Sequence, residues 1–481
     1  MKHRRTSRDN NFTRWLFRAY LLVLFLVPLP LGSNRPLFWS LLVAAISSIT
    51  VVWVVGWWSG ITVPPPALRR AKIPLILLWV FVGWAGLQLI PGSWLPDFAR
   101  SDYLDNAFSF VSGQAMLSAD IHASSDSLLL SVGLTLLAVL TVLLVRSSRR
   151  ALQVLFTLTL AGLLQALYGS LMLLSGVEFG FLEPKQYGLG VATGTFINRN
   201  HYANFLVLSL SAGTGLLLAQ MKLRGAQNMR QRVRSLLQAS LGPKARLRIY
   251  MIIIVIALVL TRSRMGNASF FMALTMVGLF ALWRLRKPSR PLLVLVISVL
   301  VIDVFVVGTW FGVDQVVDRI KRTVQVGENG DWVVQDKNRI DADRESLRII
   351  AQAPVKGMGG GSFYTVYPAW RGDDQKFMDH THNDYLEFAV EYGIVGLVLL
   401  AWFLILCFRR ASSGLEYRDG EKQFGVSFAA MMAMTAMLVH ASVDFSLQIP
   451  ANASWFVVLC LLPFCVRQLG HEHHRNTTSL V

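Results

Sequence analysis

Apolar stretches of roughly twenty residues recur along the whole chain, and this pattern restricts the fold more than any other feature of the sequence. Lipid offers a peptide group no hydrogen-bond partner. A segment crossing it must therefore satisfy its own backbone, and only helices and closed barrels do so; runs this long are helices. The predicted fold class is an all-α polytopic membrane protein with about twelve transmembrane helices. The spans fall near 14–33, 37–60, 72–91, 128–146, 151–175, 201–221, 249–263, 266–285, 291–312, 386–408, 423–446 and 451–468. Only 15% of the residues are charged, too few to cover a soluble protein of this length. Cys407, Cys460 and Cys465 all lie inside apolar segments and suggest neither a disulfide framework nor a thiolate metal site.

The formal net charge of +18 would suggest nucleic acid in a soluble protein, but no nucleic-acid motif accompanies it, and no nucleic-acid partner is expected. The basic residues instead occupy short connections: Arg69 and Arg70; Arg146, Arg149 and Arg150; Arg284, Arg286 and Lys287; Arg409 and Arg410; and the stretch 222–248. Basic loops stay cytoplasmic. With Lys2, Arg4, Arg5 and Arg8, this places both termini in the cytoplasm of a bacterial inner-membrane protein. The first apolar run leads into Pro28, Pro30 and Gly32 without a small-residue cleavage site and reads as a retained helix. Three loops then face the periplasm: an acidic one near 92–127, a glycine-rich one near 176–200, and the longest, 313–385.

Three polar segments border the spans on that side. In the segment 194–204, Asn198, Arg199, Asn200 and His201 abut a helix start, as caps or as substrate contacts. Arg262 and Arg264 stand at the outer membrane face against the positive-inside bias. They either snorkel from helix ends or hold a phosphate, which a guanidinium grips with two parallel hydrogen bonds. Finally, His380 and His382 precede a span, with Asp384 and Glu387 close by in sequence as orienting carboxylates. An imidazole so placed suits a general base. Two histidines without a third ligand are a weak zinc signal, and no metal is expected. Asp303, deep in the ninth span, serves function or an interhelical hydrogen bond. Asp444 orients His440 or lines an acceptor path.

The order of these elements resembles a known family. His382-Asn383, followed by nine residues and then Gly393 and Gly396, resembles the H-N-x9-G-x-x-G motif of the O-antigen ligase and polymerase family. Arg339 and the stretch Pro354–Phe363 resemble its arginine and glycine-rich loop. Ser263-Arg264-x-Gly266 resembles its S-R-G element, and Gly194-Thr195-Phe196-x-Asn198-x-Asn200 its G-T-F-x-N-P-N element. The segments 440–445 and 448–452 resemble its closing stretch, so the likeness spans roughly 190–455. It divides the chain into N-terminal helices over 1–190, a ligase-like membrane domain over 191–468 that includes the loop 313–385, and a tail over 469–481.

The resemblance implies a class C membrane glycosyltransferase without metal or cofactor. Its donor would be a glycan on undecaprenyl pyrophosphate, and its acceptor lipid A-core or another glycan, at the surface of membrane lipid. His382 would activate the acceptor, chosen over His380 because it alone fits the motif spacing. Arg264 and Arg339 would grip the pyrophosphate, with Arg199, Arg344, Asn198, Asn200 and Asn383 as further substrate-binding candidates. Arg199 stands where the family usually has proline, and Arg344 and Arg348 follow Arg339 where it often has tryptophan, so the arginine on the lipid carrier stays open. Ligase and repeat-unit polymerase share the donor motifs, and both remain open. A lipid-linked glycan transporter would require paired charges through the middle of several spans, whereas the charges here gather at one face.

Overall fold

The computed structural model describes residues 2–90, 117–220, 243–285, 293, 297, 324–326, 332–334, 337–372, 377–416 and 420–466. The apolar runs within these residues are helices: α1 (Lys2–Leu26), α2 (Pro36–Trp58), the short α3 (Pro66–Arg70), α4 (Lys72–Leu87), α5 (Ile121–Leu144) and α6 (Ser148–Ser175). They are followed by α7 (Arg199–Ala219), α8 (Pro243–Leu260) and α9 (Arg264–Arg284). After the long loop come α12 (Asp384–Gly414), α13 (Glu421–Ala441) and α14 (Pro450–Cys465). Among the described residues, seven helices are long and apolar enough to cross a membrane: α2, α5, α6, α7, α9, α12 and α13. The molecule is an α-helical, multi-pass membrane protein.

Burial orders these helices. The apolar window of α7 is 100% buried, whereas that of α2 is 22% buried, so α7 runs through the centre and α2 along the rim. Against α7 lies α13, and the two approach backbone to backbone: a Cβ on Gly215 would sit 2.3 Å from the Gly425 carbonyl oxygen. Small residues permit such contact where no hydrophobic effect drives helices together in lipid. Trp455 of α14 closes the centre, fully buried, its ring 4.3 Å from that of Phe205.

Several boundaries differ from the sequence expectation, each for a local reason. The first helix stops at Leu26 rather than near 33, because Pro28 and Pro30 donate no hydrogen bond and Leu31, Gly32 and Ser33 adopt left-handed backbone. Helix α5 starts seven residues early, at Ile121, where Asp120 caps it by accepting from the Ala123 N–H at 2.9 Å. The end of the acidic loop is therefore helix. The loop 313–385 carries secondary structure of its own: an antiparallel pair of strands, β1 (Val324–Val326) and β2 (Trp332–Val334), then α10 (Lys337–Gln352) and the short α11 (Phe363–Val366). Outside the described residues lie most of the expected span 291–312, with Asp303, most of the basic stretch 222–248, residues 92–116 of the acidic loop, residues 313–323 and the tail 469–481.

Helices α7, α9, α12 and α14 all begin at one end of the bundle. Gly266 in the first turn of α9 is wedged against Ala203 of α7, where an added Cβ would lie 2.5 Å from the Ala203 Cβ. Asn452 of α14 donates to the His201 carbonyl at 3.1 Å. The turn between α13 and α14 donates the Leu447 N–H to Asp384 of α12 at 3.0 Å.

Candidate functional site

The starts of α7 and α12 meet at Asp444, in the turn between α13 and α14. Its carboxylate is 1% exposed and is fixed by a bond from the Phe445 N–H to Oδ1 at 2.9 Å. His382 brings Nδ1 to 3.4 Å from the same oxygen, and His201 brings Nε2 to 3.6 Å. Burial alone would favour the neutral acid, yet the imidazoles of His201 and His382 hold the Asp444 carboxyl well below the usual carboxylate range. The Phe445 ring separates the imidazoles. His380 stacks on it at 4.0 Å, while His201 and His382 meet it edge-on at 4.5 and 5.0 Å. His440, buried behind them, shares a hydrogen bond between Nδ1 and the Ser446 hydroxyl at 3.1 Å.

The carboxylate expected for His382 serves its neighbour instead. Glu387, one turn into α12, reaches back to His380 Nδ1 at 2.5 Å and accepts from the Thr381 N–H at 3.1 Å. Burial works against a charged imidazole, but the Glu387 carboxylate overrides it and raises His380 to about 9. Asp384 turns to the Leu447 N–H. His382 is left to Asp444, 62 residues on, a pairing no local pattern announces. Its backbone is left-handed, with φ 57°, a conformation uncommon for residues other than glycine. The two histidines thus face different carboxylates, and no third ligand converges with them among the described residues.

Several buried polar atoms here have no hydrogen-bond partner among the described residues: Asp444 Oδ2, Asp384 Oδ1, His440 Nε2, Asn452 Oδ1 and Gln448 Nε2. Folded proteins rarely leave such atoms unpaired outside places where water or a ligand completes them.

Arg264 is exposed at the first residue of α9, with exposed Arg262 in the left-handed turn before it and Ser263 Oγ capping the Gly266 N–H. Arg199 is exposed at the first residue of α7. Arg339 is half-buried on α10, and Asp343 one turn on lies within electrostatic reach of both Arg339 and His382. Burial pushes the Asp343 carboxyl up, against the influence of those two neighbours. Arg344 is exposed and lies about 140° around the helix from Arg339, on the side where Arg348 pairs with Glu345. The structure thus sets Arg264 beside the start of α7, and turns Arg344 away from Arg339. Asn198 and Asn383 use their side-chain carbonyls as helix caps, the first accepting from the Asn200 N–H at 2.8 Å and the second from the Tyr385 and Leu386 N–H groups. Asp343 was absent from the sequence expectation; its only local signal is the i, i+4 spacing from Arg339.

The motif glycines do a different job. Gly393 (φ 63°, ψ −169°) breaks α12 and frees the carbonyls before it. The segment 357–361 lies along the break: the Met358 N–H donates to the Val390 carbonyl at 2.7 Å and the Gly359 N–H to that of Glu391 at 3.0 Å. A Cβ on Gly357 would stand 2.3 Å from the Glu391 carbonyl oxygen, and one on Gly393 2.3 Å from that of Val355. Gln88 Nε2 bonds Lys356 and Glu391 carbonyls, and Gln88 Oε1 accepts from Gly360. The Glu391 carboxylate accepts from the Gly361 and Phe363 N–H groups. These glycines weld the long loop to α12 and so fix where His382 stands.

A multi-pass helical membrane protein with a histidine–carboxylate corner at one end, flanked by arginines on adjoining helices, is suited to proton transfer beside an anionic ligand. Residues 249–401 match the O-antigen ligase family model, a match that supports a membrane glycan-transfer role in polysaccharide biosynthesis. The match takes in Arg264, Arg339, the glycine run and the stretch from His382 to Gly396, and leaves out the elements at 194–204 and 440–452. No curated protein matches the chain.

Proposed function

We propose that the protein transfers a glycan from undecaprenyl pyrophosphate to an acceptor hydroxyl at the periplasmic face of the bacterial inner membrane, as an O-antigen ligase. The observation that carries this reading is Asp444 against Nδ1 of His382. An ionised Asp444 keeps the shared proton on Nδ1, which leaves the Nε2 lone pair for the acceptor. In the reaction the acceptor oxygen attacks the anomeric carbon, the bond from that carbon to the pyrophosphate oxygen breaks, and the acceptor proton passes to His382 Nε2. Asp444 stabilises the resulting imidazolium. The leaving pyrophosphate gains negative charge, which Arg264 and Arg339 offset. An apolar cavity among α4, α5, α12 and α14, lined by Phe81, Leu134, Phe388, Tyr392, Leu447 and Phe456, suits the polyprenyl chain. It adjoins the corner because Leu447 is bonded to Asp384.

Reconstitution tests the reading. Purified protein receives undecaprenyl-pyrophosphate-linked glycan and either lipid A-core or a second glycan unit. Glycan on lipid A-core is the expected product, and EDTA leaves the rate unchanged. A lengthened glycan would make the protein a polymerase of the same chemistry; no product with either acceptor would remove the transferase reading. Arg264→Ala and Arg339→Ala should each abolish transfer. Lysine should rescue poorly, offering one compact charge in place of a planar fork; a normal rate in Arg264→Lys would exclude bidentate grip.

A further inference from the structure

A second cavity lies at the same end of the bundle, between the start of α2 and the segment 176–198. We propose that it is a glycan-binding groove that holds sugar units of the substrate while the reacting end sits at the His382 corner, an inference that rests on the transfer reading above.

The groove measures about 440 Å³, within the range of small-molecule sites. Arg35 and Phe38 form one wall, Phe181, Lys185 and Tyr187 the other, and Ile197 lies at its inner end. Phe38 and Phe181 meet edge-to-face with centroids 6.0 Å apart, and Tyr187 is 73% exposed. The Arg35 guanidinium is exposed and has no partner among the described residues. Pyranose rings pair an apolar C–H face with a rim of hydroxyls. Aromatic rings beside free donors and acceptors match both surfaces. A lipid tail fits poorly, because it would desolvate the charge of Arg35 without replacing its hydrogen bonds to water.

The wall is preformed. Glu178 accepts from Lys185 Nζ at 2.8 Å and from the Gly190 N–H at 2.7 Å, and the Tyr168 hydroxyl donates to the Gly180 carbonyl at 2.6 Å. A braced loop loses little entropy when a ligand settles on it. The groove also leads to the chemistry. Ile197 precedes the Asn198 cap of α7, and four residues further on His201 lies 3.6 Å from Asp444. Four residues span at most about 14 Å, so a glycan reacting at His382 would extend naturally into the groove.

The test uses two soluble probes: the glycan released by mild acid from the lipid-linked donor, and delipidated core oligosaccharide. Each is titrated calorimetrically into the full-length protein in detergent. Binding should persist in His382→Ala, since it precedes chemistry, and Arg35→Ala and Tyr187→Ala should each weaken it about tenfold. Both side chains are exposed, so the two variants should melt like the parent. In turnover their KM for the same glycan should rise while kcat holds. Binding of the donor glycan alone assigns the groove to the donor, and binding of the core alone to the acceptor. If neither probe binds, or if neither substitution changes the Kd, the groove assignment is wrong. Glycan binding sensitive to Arg35 in a protein that transfers nothing would instead keep the groove and remove the transferase reading.

Discussion

The head of α12 is gripped from two sides. On one side lies the glycine segment 357–361, on the other the corner between α13 and α14, and their accounts of buried polar groups are opposite. On the glycine side the polar groups at the break are paired: Gln88 bonds three backbone groups, Glu391 accepts two N–H bonds, and Ser124 donates to Gly360 at 2.8 Å. On the histidine side Asp444, Asp384 and His440 each retain a buried atom without a hydrogen-bond partner among the described residues. The first arrangement is finished without a ligand and acts as scaffold. The second leaves buried polar atoms that water or a ligand would complete, and there perturbed titration and unpaired lone pairs coincide, as they do at reactive sites.

Substitutions on the two sides should therefore fail differently. The largest effect belongs to His382→Ala, which should lose transfer by about a hundred- to ten-thousandfold while the protein still binds lipid donor and melts normally. Asp444→Asn should follow it in direction, and His380→Ala should keep most activity. Donor binding and turnover measured separately decide the matter: an active His382→Ala would end the base assignment. On the glycine side Gly393→Ala should do the reverse. Its backbone lies in a region closed to other residues, at a cost of about 1–3 kcal/mol, and the new Cβ would meet the Val355 carbonyl. Less folded protein should reach the membrane, with a lowered Tm and activity lost in proportion. A Gly393→Ala protein of normal Tm and no activity would blur the division drawn here.

The smallest effect concerns pH. His380 is raised to about 9 by Glu387 despite burial, above an unfolded value near 6.5. A raised basic group stabilises the fold fully below its unfolded pKa and loses that contribution as pH climbs through the folded one. The Tm should thus fall between about pH 6.5 and 9 beyond any general trend, and His380→Gln should flatten that decline. An identical pH profile in the variant would show that the pair contributes nothing to stability.

The membrane helices were legible because the apolar run is itself the physical cause of a span. Helix α10 was not, although its buried Ala342, Ser346 and Ile349 follow a helical stripe, because a short amphipathic pattern inside a charged loop competes with no obvious core. His382, Asn383, Gly393 and Gly396 were legible as a motif, but their division of labour was not. Spacing does not reveal that Gly393 is a backbone contact or that His382 turns to Asp444. Glu387 was the plausible partner by proximity and went to His380, because the left-handed turn at His382 points the two rings to different carboxylates.

That same turn has an evolutionary consequence. At φ 57° a histidine is held in a conformation glycine adopts freely, so the chain carries local strain at this position. Selection for stability alone would favour glycine there. On the proposed reading of His382 as the base, a homologue bearing glycine in its place should keep the fold, gain stability and lose transfer.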